Sequence, residues 1–576
     1  MKMKHVLVGV VAMLAFAATK GNSQTVAIAA MGSSAMFLEV GQAAATSLGC
    51  VWTGAKGDVI ANDTRVSPTV QENGTVWVAW SVGGGTSCSA PGASSTIYLY
   101  LNTDSVLGNR CFFASPRCSL TVKSGLAGTT GSDLLGTGFT DTTIPSAIVG
   151  PISTASINVA ATDIRPEDAR FATLRALTAC GQAISGSQYL GLGYQTGTTG
   201  VGDSIVQSSQ SSGGTASTFH ILDFNLTGKD PISGATLPGS FTVVPVGATP
   251  VVVVVNPSDG SGFGNLLIQN VDRATLAGYL DGTYGRVQDM IPEAYQGTGG
   301  QVGTTVFIRE PVSGTYNTME YAIPNSAQNQ SSQEIGLQTL AAVNNGYTLP
   351  PDYCSGSGST ATWESSQNPL EETNVTRGSV SSNRFRAIGT GNMVASVLAT
   401  TDSLGYAFWS AANFANATST TGKYLTVDGI DPIQETWSDG LIPTSKNGLL
   451  GNVTLSHVKD GTYPIWSLLR MVADPASASA VATLVTDAAN FLSPAQPDFV
   501  SPGSLTIVRS HFAPPGVTFP SPNSAGLATS GQPCNGTSSA CAEAGGDVAG
   551  LVYSKEADAN YDVDTGAATG NINHRQ

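Results

Sequence analysis

Thr304-Thr-Val-Phe-Ile-Arg309-Glu310-Pro311-Val312-Ser313-Gly314-Thr315-Tyr316-Asn317-Thr318 is the stretch on which the fold turns. Its opening residues are β-branched or aromatic and predict a strand that ends on Arg309. Four residues on, Ser313-Gly314-Thr315 opens a predicted helix. Hydroxyls and free N–H groups at a helix start make an anion site, and a glycine lets the backbone come close to the ligand. A guanidinium at the strand end adds a two-pronged grip suited to a tetrahedral oxyanion. The same residues also fit a plainer role, with Ser313 as an ordinary cap and Arg309 in a surface ion pair.

Working outward, Val251 to Val255 is an unbroken β-branched run inside a longer strand-like stretch, Thr242 to Asn256. Such a run suits a strand buried on both faces of a mostly parallel sheet. Helical signals follow at Ala274–Leu280, after Ser313 and at Gln333–Val343. After a polar, Gly/Ser-rich interval at 355–383, helix and strand return from Met393 to Trp409. Ile465 to Leu492 reads as one or two helices. Upstream, 25–40 reads as strand, loop and helix. Residues 41–160 read as strands on long loops, with alternation at 75–80 and 95–101. Pro166 to Ile184 reads as a helix begun by Pro166-Glu167-Asp168, and Phe219 to Leu226 as strand. Strands alternating with helices indicate an α/β protein.

Only 11% of the 576 residues are charged, and the net charge is −15. With no basic field, a nucleic-acid partner is excluded. A small buried anion is not, because local dipoles and one or two arginines hold it while distant surface charge is screened. Lys2 and Lys4 precede an apolar run from Val6 to Ala18, too short to span a bilayer and followed by small residues. That pattern predicts a signal peptide over 1–24, with no lipid-bearing Cys after it, and hence a periplasmic or secreted protein. Eight cysteines lie beyond it, and an even count after export predicts disulfides rather than metal ligation. Cys111 with Cys118, and Cys534 with Cys541, are near enough to close small loops, while Cys50, Cys88, Cys180 and Cys354 have open connectivity. Asp558 to Asp564 begins like a calcium loop, but Val563 stands where the turn needs Gly. The five histidines are scattered, and no metal or cofactor is expected. There is no Gly-x-Ser-x-Gly elbow and no Gly-x-x-x-x-Gly-Lys loop.

Two further loops carry the site. Ala30-Met-Gly32-Ser33-Ser34-Ala35-Met36-Phe37 is a small-residue turn between strand and helix. Asn158-Val-Ala-Ala161-Thr162-Asp163-Ile164-Arg165-Pro166 places an acid at a strand end. The plainer role for Asp163 is helix capping. In its order of segments from about 25 to 510 the chain resembles the periplasmic phosphate-binding proteins of ABC importers. Gly32 to Phe37 matches their first loop, Thr162-Asp163 their Ser-Asp, and Arg309, Ser313, Gly314 and Thr315 their Arg and Ser-Gly-Thr at the same spacing. Ser105, within Asp104-Ser105-Val-Leu-Gly108, matches a ligating Ser. Gly389-Thr-Gly391-Asn392 and Ser403-Leu-Gly405-Tyr406 resemble the return to the first lobe, and Thr462-Tyr-Pro-Ile465 before a helix resembles the closing segment. Met36 stands where the family has a ligating Thr, so that hydroxyl is lost. The interval 41–160 is longer than in the family, and the tail after 510 has no counterpart.

The resemblance implies a two-lobed binding-protein fold of type II. Lobe one would comprise 25–245 and 408–515, with 41–160 as a β-rich insertion, lobe two 246–407, and 516–576 an irregular tail. Two crossing segments near 243–250 and 400–408 would form the hinge. Phosphate would lie between Met36, Phe37, Ser105 and Asp163 on one side and Arg309, Ser313, Gly314 and Thr315 on the other. An aspartate beside an anion is repulsive unless the anion brings a proton, which phosphate does and sulfate at neutral pH does not. The implied protein is a monomer that captures phosphate or a similar oxyanion without transforming it and hands it to an ABC permease. The alternatives are a secreted phosphatase of the same superfamily, or a surface or matrix protein with the fold but no transport role.

Overall fold

Small and β-branched residues from Thr25 to Gly32 form the first strand, β1, whose last five residues are buried. The computed structural model describes residues 24–64, 70–136, 138–164, 241–258, 262–265, 268–280, 284–290, 302–309, 313–323, 370–377, 380–387, 389–437, 439–491 and 498–505, and short strands at 183–184, 187–188, 347–348, 354–355, 362–363, 507–509, 552–554 and 574–575. A single 3-10 turn, Ser34–Met36, leads into helix α1, Phe37–Leu48, which stops at Gly49 in the left-handed conformation. Strands β2 (Cys50–Gly54), β3 (Val76–Trp80) and β4 (Thr96–Asn102) follow, then helix α2 (Ser105–Phe113) and strand β5 (Val159–Thr162).

The long strand β6, Thr242–Val255, opens the second half. After it come β7 (Thr305–Arg309), helix α3 (Gly314–Ala322), the hairpin β8 (Leu370–Arg377) and β9 (Val380–Ala387), helix α4 (Thr390–Ala399) and β10 (Ser403–Phe408). Strand β11 (Trp466–Ala473) and helix α5 (Ala478–Phe491) close the core.

These strands belong to one mixed sheet of 13, in the order β2-β3-β4-β1-β5-β11-β6-β10-β7-β9-β8, with Tyr347–Thr348 beyond β8 and Lys423–Tyr424 beside the end of β6. β6 is the strand on which the sheet changes partners. Thr242 to Pro250 runs antiparallel to β11, and Val251 to Val255 runs antiparallel to β10. The exchange falls at Pro250, which has no N–H to give to a ladder. The β-branched run Val251–Val255 is buried throughout, as its composition requires, but its partners are antiparallel and the sheet is mixed, not the mostly parallel one expected.

Parallel pairing brings the loops together. β1 lies parallel to both β4 and β5, so Gly32 stands level with Asn102 and Ala161. β7 lies parallel to β9 and β10, so Arg309 stands level with Ala387. Within each half, the loops that leave the carboxyl ends of these strands, where open α/β sheets take their ligands, are therefore neighbours, and the antiparallel pairs from β5 through β11 and β6 to β10 set the two halves in opposite directions. Alternation along β1 divides the core: Ile28 and Ala30 join the cluster that contains α1 and α5, and Ala29 and Met31 the one that contains α2.

Several sequence expectations change. Ile465–Leu492 is a strand followed by a helix, β11 and α5, and not one or two helices. A strand enclosed on both sides carries a continuous apolar run that periodicity cannot separate from a helix. The closing segment Thr462-Tyr-Pro-Ile465 thus precedes a strand. The polar interval 355–383 contains β8, and 41–160 contains α2 and a short helix, Ser146–Ile152. Between β10 and β11 the segment 423–427 pairs with the second half: Tyr424 pairs with Val254, and Thr426-Val427 pairs with Asn270-Val271. In the stretch expected to be an irregular tail, Val552–Ser554 pairs with Ile507–Arg509 and His574–Arg575. The expected helix at 166–184 falls, but for Ala183-Ile184, outside the described residues. The helix at 333–343, the strand at 219–226, the calcium-like 558–564 and the leader 1–23 fall outside them.

Among the described residues two disulfides form, Cys50–Cys88 and Cys111–Cys118. Cys180, Cys534 and Cys541 lie outside the described residues, and Cys354 sits on the strand Cys354–Ser355. Among the described residues no helix is long and apolar enough to cross a membrane.

Candidate functional site

Gly32 ends β1 with φ +142°, and a side chain there would run into the Ala161 carbonyl. This close approach turns the chain so that Ser33 N–H donates to Ala161 O at 2.9 Å. The Ser33 hydroxyl then caps the 3-10 turn, accepting from Ala35 N–H at 3.1 Å, and donates its own proton to Asp163 Oδ1. Tyr100 on β4 donates to the Ser33 carbonyl. Ser105, first residue of α2, accepts from Asp163 N–H at 3.0 Å through its hydroxyl. Ser467 of β11 donates to the Asp163 carbonyl. Asp163 is thus held by three elements of one half of the sheet.

The other half supplies a cation and a helix start. Ser313 caps α3, its hydroxyl accepting from Thr315 N–H at 3.1 Å and Tyr316 N–H at 3.3 Å. Arg309 is fully buried. Its Nη1 donates to Thr390 Oγ1 at 2.8 Å and Thr315 Oγ1 at 3.4 Å, and its backbone N–H donates to the Tyr406 hydroxyl at 3.1 Å.

The halves touch here. Arg309 Nη2 pairs with Asp104 Oδ1 at 3.1 Å, with both side chains out of solvent. The Ser34 and Thr390 hydroxyls are hydrogen-bonded at 2.6 Å. A Cβ placed on Gly314 would collide with Asp163 Oδ2 and Ser105 Oγ. Only glycine lets the first turn of α3 lie this close to the carboxylate.

The electrostatics follow from enclosure. Burial pushes the Asp163 carboxyl up to about 6, while the Ser33 and Ser105 hydrogen bonds and the charges of Arg309 and Arg470 pull it the other way. Tyr100 is held well above its usual range by burial first, then by Asp163 and Glu39. Arg470, on β11 beside Thr162, is itself buried, so two guanidiniums act on one carboxylate.

Of the residues expected from sequence, Ser105, Asp163, Arg309, Ser313, Gly314 and Thr315 come together. Met36 and Phe37 do not present side chains to this cluster. Met36 is buried in the apolar core, and the Phe37 ring packs edge-on to Tyr100 with centroids 5.9 Å apart. The Phe37 amide is already bonded to Ser34 O. Ser33, Ser34, Asp104, Thr390, Tyr406 and Arg470 join the cluster without having been singled out. Asp104 carried one readable signal, an acid just before the serine matched to a ligating Ser. Its side chain makes no cap bond to α2 and reaches across to Arg309 instead.

No protein-family model and no curated protein matches the chain. Among solved structures it is similar to a high affinity periplasmic phosphate-binding protein, PfluDING, bound with phosphate. That match has 12% identity and a TM-score of 0.32 over 82% of this chain and 90% of that one. It is also similar to a phosphate-binding protein from Stenotrophomonas maltophilia, with 13% identity and a TM-score of 0.25 over 59% and 69% of the two chains. A phosphate-bound substrate-binding protein from Clostridium perfringens is matched at 10% identity and a TM-score of 0.23. There the match covers 44% of this chain and 66% of that one, just under two thirds. Scores of this size carry no structural argument on their own.

Proposed function

We propose that this protein is an exported binding protein for inorganic phosphate, which it takes between two hinged lobes and releases unchanged. The lobes meet along β6. One is built on β1 to β5 and β11, the other on β7 to β10 together with the segment around 423–428, whose pairing associates it with the second lobe. The observation that carries this reading is one buried cluster. In it the Ser33, Ser105 and Asp163 side of the sheet meets Arg309, Thr315 and the Gly314 backbone, with Arg309 bridged to Asp104 at 3.1 Å. Arg309 and the α3 N-terminus would hold the anionic oxygens. Above about pH 6 Asp163 is a carboxylate and accepts the proton that phosphate still carries. Sulfate brings none, and a carboxylate facing a bare oxyanion in an enclosed site is penalised by about 1–3 kcal/mol or more. Closure would replace the hydration shell by these fixed dipoles, in a form a permease could recognise.

Calorimetry of the purified chain at pH 7.5 with phosphate, arsenate, sulfate and molybdate tests the proposal. Phosphate and arsenate, which share shape and proton count, are expected to bind, and sulfate and molybdate to bind far more weakly. Equal affinity for sulfate and phosphate, or none for either, would overturn it. Turnover of a phosphomonoester by the pure protein would move the reading to the phosphatase alternative.

A further inference from the structure

We propose that Asp104 is a latch which the anion has to displace: its carboxylate reaches across to Arg309, ties the two halves together, and gives way when an oxyanion takes the guanidinium. The competition rests on the reading of Arg309 as the cation that grips the anion. The latch itself does not.

The chain places Asp104 for a different task. It stands at the N-cap of α2 with extended backbone, φ −126° and ψ 157°. An aspartate there ordinarily accepts from the first N–H groups of the helix. This one makes no cap bond. It turns to a residue 205 positions away, with Oδ1 at 3.1 Å from Arg309 Nη2. Both side chains are buried, and an enclosed charge persists only with a partner, since stranding either one is costly.

Arg309 is fastened to its own half. Nη1 donates to the Thr390 hydroxyl at 2.8 Å and the Thr315 hydroxyl at 3.4 Å, and the backbone N–H donates to the Tyr406 hydroxyl at 3.1 Å. Nη2 crosses to Asp104. A second bond crosses beside it, between the Ser34 and Thr390 hydroxyls at 2.6 Å. Each crossing residue of the first half is the chain neighbour of one that bonds Asp163: Ser34 follows Ser33, and Asp104 precedes Ser105. The latch thus engages the two loops that hold the acid of the site.

The shape of the guanidinium makes Asp104 a competitor. A two-pronged grip takes two nitrogens side by side. At Nη1 an oxyanion meets neutral hydroxyls, which can turn and donate to it. At Nη2 it meets a carboxylate. Two anions in one enclosed space repel, so the incoming one takes Nη2 only as Asp104 leaves it. Removing the Asp104 charge frees the guanidinium and leaves the hydroxyl contact in place. The charge therefore sets the sign, and Asp104 lowers the affinity for the anion.

Asp104→Asn, which keeps the shape and removes the charge, tests both halves of the proposal in the full chain. Without added anion, amide exchange in peptides 313–318 and 389–393 should be about threefold to tenfold faster than in wild type, although both lie far from residue 104 in sequence. Saturating phosphate should return them to the level of phosphate-bound wild type. By calorimetry, phosphate affinity of the variant should rise about tenfold. Ser34→Ala, which removes the neutral crossing bond and no charge, should also speed exchange at 389–393 without raising affinity. It supplies the test if Asp104→Asn does not fold. Unchanged exchange in these variants, or weaker phosphate binding by Asp104→Asn, would overturn the proposal. So would faster exchange confined to 105–113 and not restored by phosphate, because Asp104 would then only support α2. Faster exchange in the second half, with no phosphate bound by wild type or variant, would uphold the latch and refute the phosphate reading instead.

Discussion

Asp163 and Glu39 are both carboxyls taken out of water in the same half of the protein, and burial is the leading influence on each. Their surroundings differ. Asp163 has two serine hydroxyls and the charges of Arg309 and Arg470, which hold its rise to about 6. Burial first, then the second carboxyl Asp498, raises Glu39 well above the carboxylate range. The difference teaches that enclosure alone does not assign a role. A buried acid supplied with donors is kept ready to accept a proton from outside, whereas one supplied with an acceptor keeps its own.

The strongest test of that contrast is Arg309→Ala. It strips the anion site of the buried guanidinium that bridges to Asp104, so phosphate affinity measured by calorimetry should fall at least a hundredfold, about 3 kcal/mol or more. Amide protection at the 498–502 segment should not follow. Gly314→Ala should weaken phosphate binding about tenfold to a hundredfold, because the new methyl displaces α3 from Asp163 and Ser105. Asp163→Asn should narrow the preference for phosphate over sulfate about tenfold to a hundredfold, mostly by admitting sulfate.

The same variant has a second readout. A folded-state value raised from 3.8 to about 6 means that the folded protein binds the proton more tightly. Stability from this group is therefore greatest below pH 4 and declines between about pH 4 and 6 by up to about 3 kcal/mol. Denaturant unfolding of Asp163→Asn should lack that decline. The smallest effect on ligand binding belongs to Cys50→Ser with Cys88→Ser. Removing that cross-link should reduce stability by about 2–4 kcal/mol without changing the ligand preference.

Sequence reading reached the parts of this arrangement that are local. Arg309 and Ser313-Gly314-Thr315 could be read because a strand end and a helix cap are written in consecutive residues. Asp163 could be read for the same reason, and the run Val251–Val255 because a doubly buried strand has its own composition. What could not be read depends on contact at a distance. Asp104, Ser34 and Thr390 matter only because parallel pairing gathers the loops of each half and the two oppositely directed halves bring those loops into contact. β11 was lost to the opposite ambiguity, since Trp466–Ala473 is apolar enough to pass for a helix, and only its place between β5 and β6 decides the matter.

The change of partners at Pro250 also has a mechanical meaning. A strand bonded to one neighbour along its first nine residues and to another along its last five behaves as a torsion bar. Rotation of the two halves of the kind proposed above would be absorbed as twist about Pro250, because sliding would break both ladders at once. The irregular register between Pro245 and Gly247 lies on the compliant side of that point, and the valine run forms the anchored end.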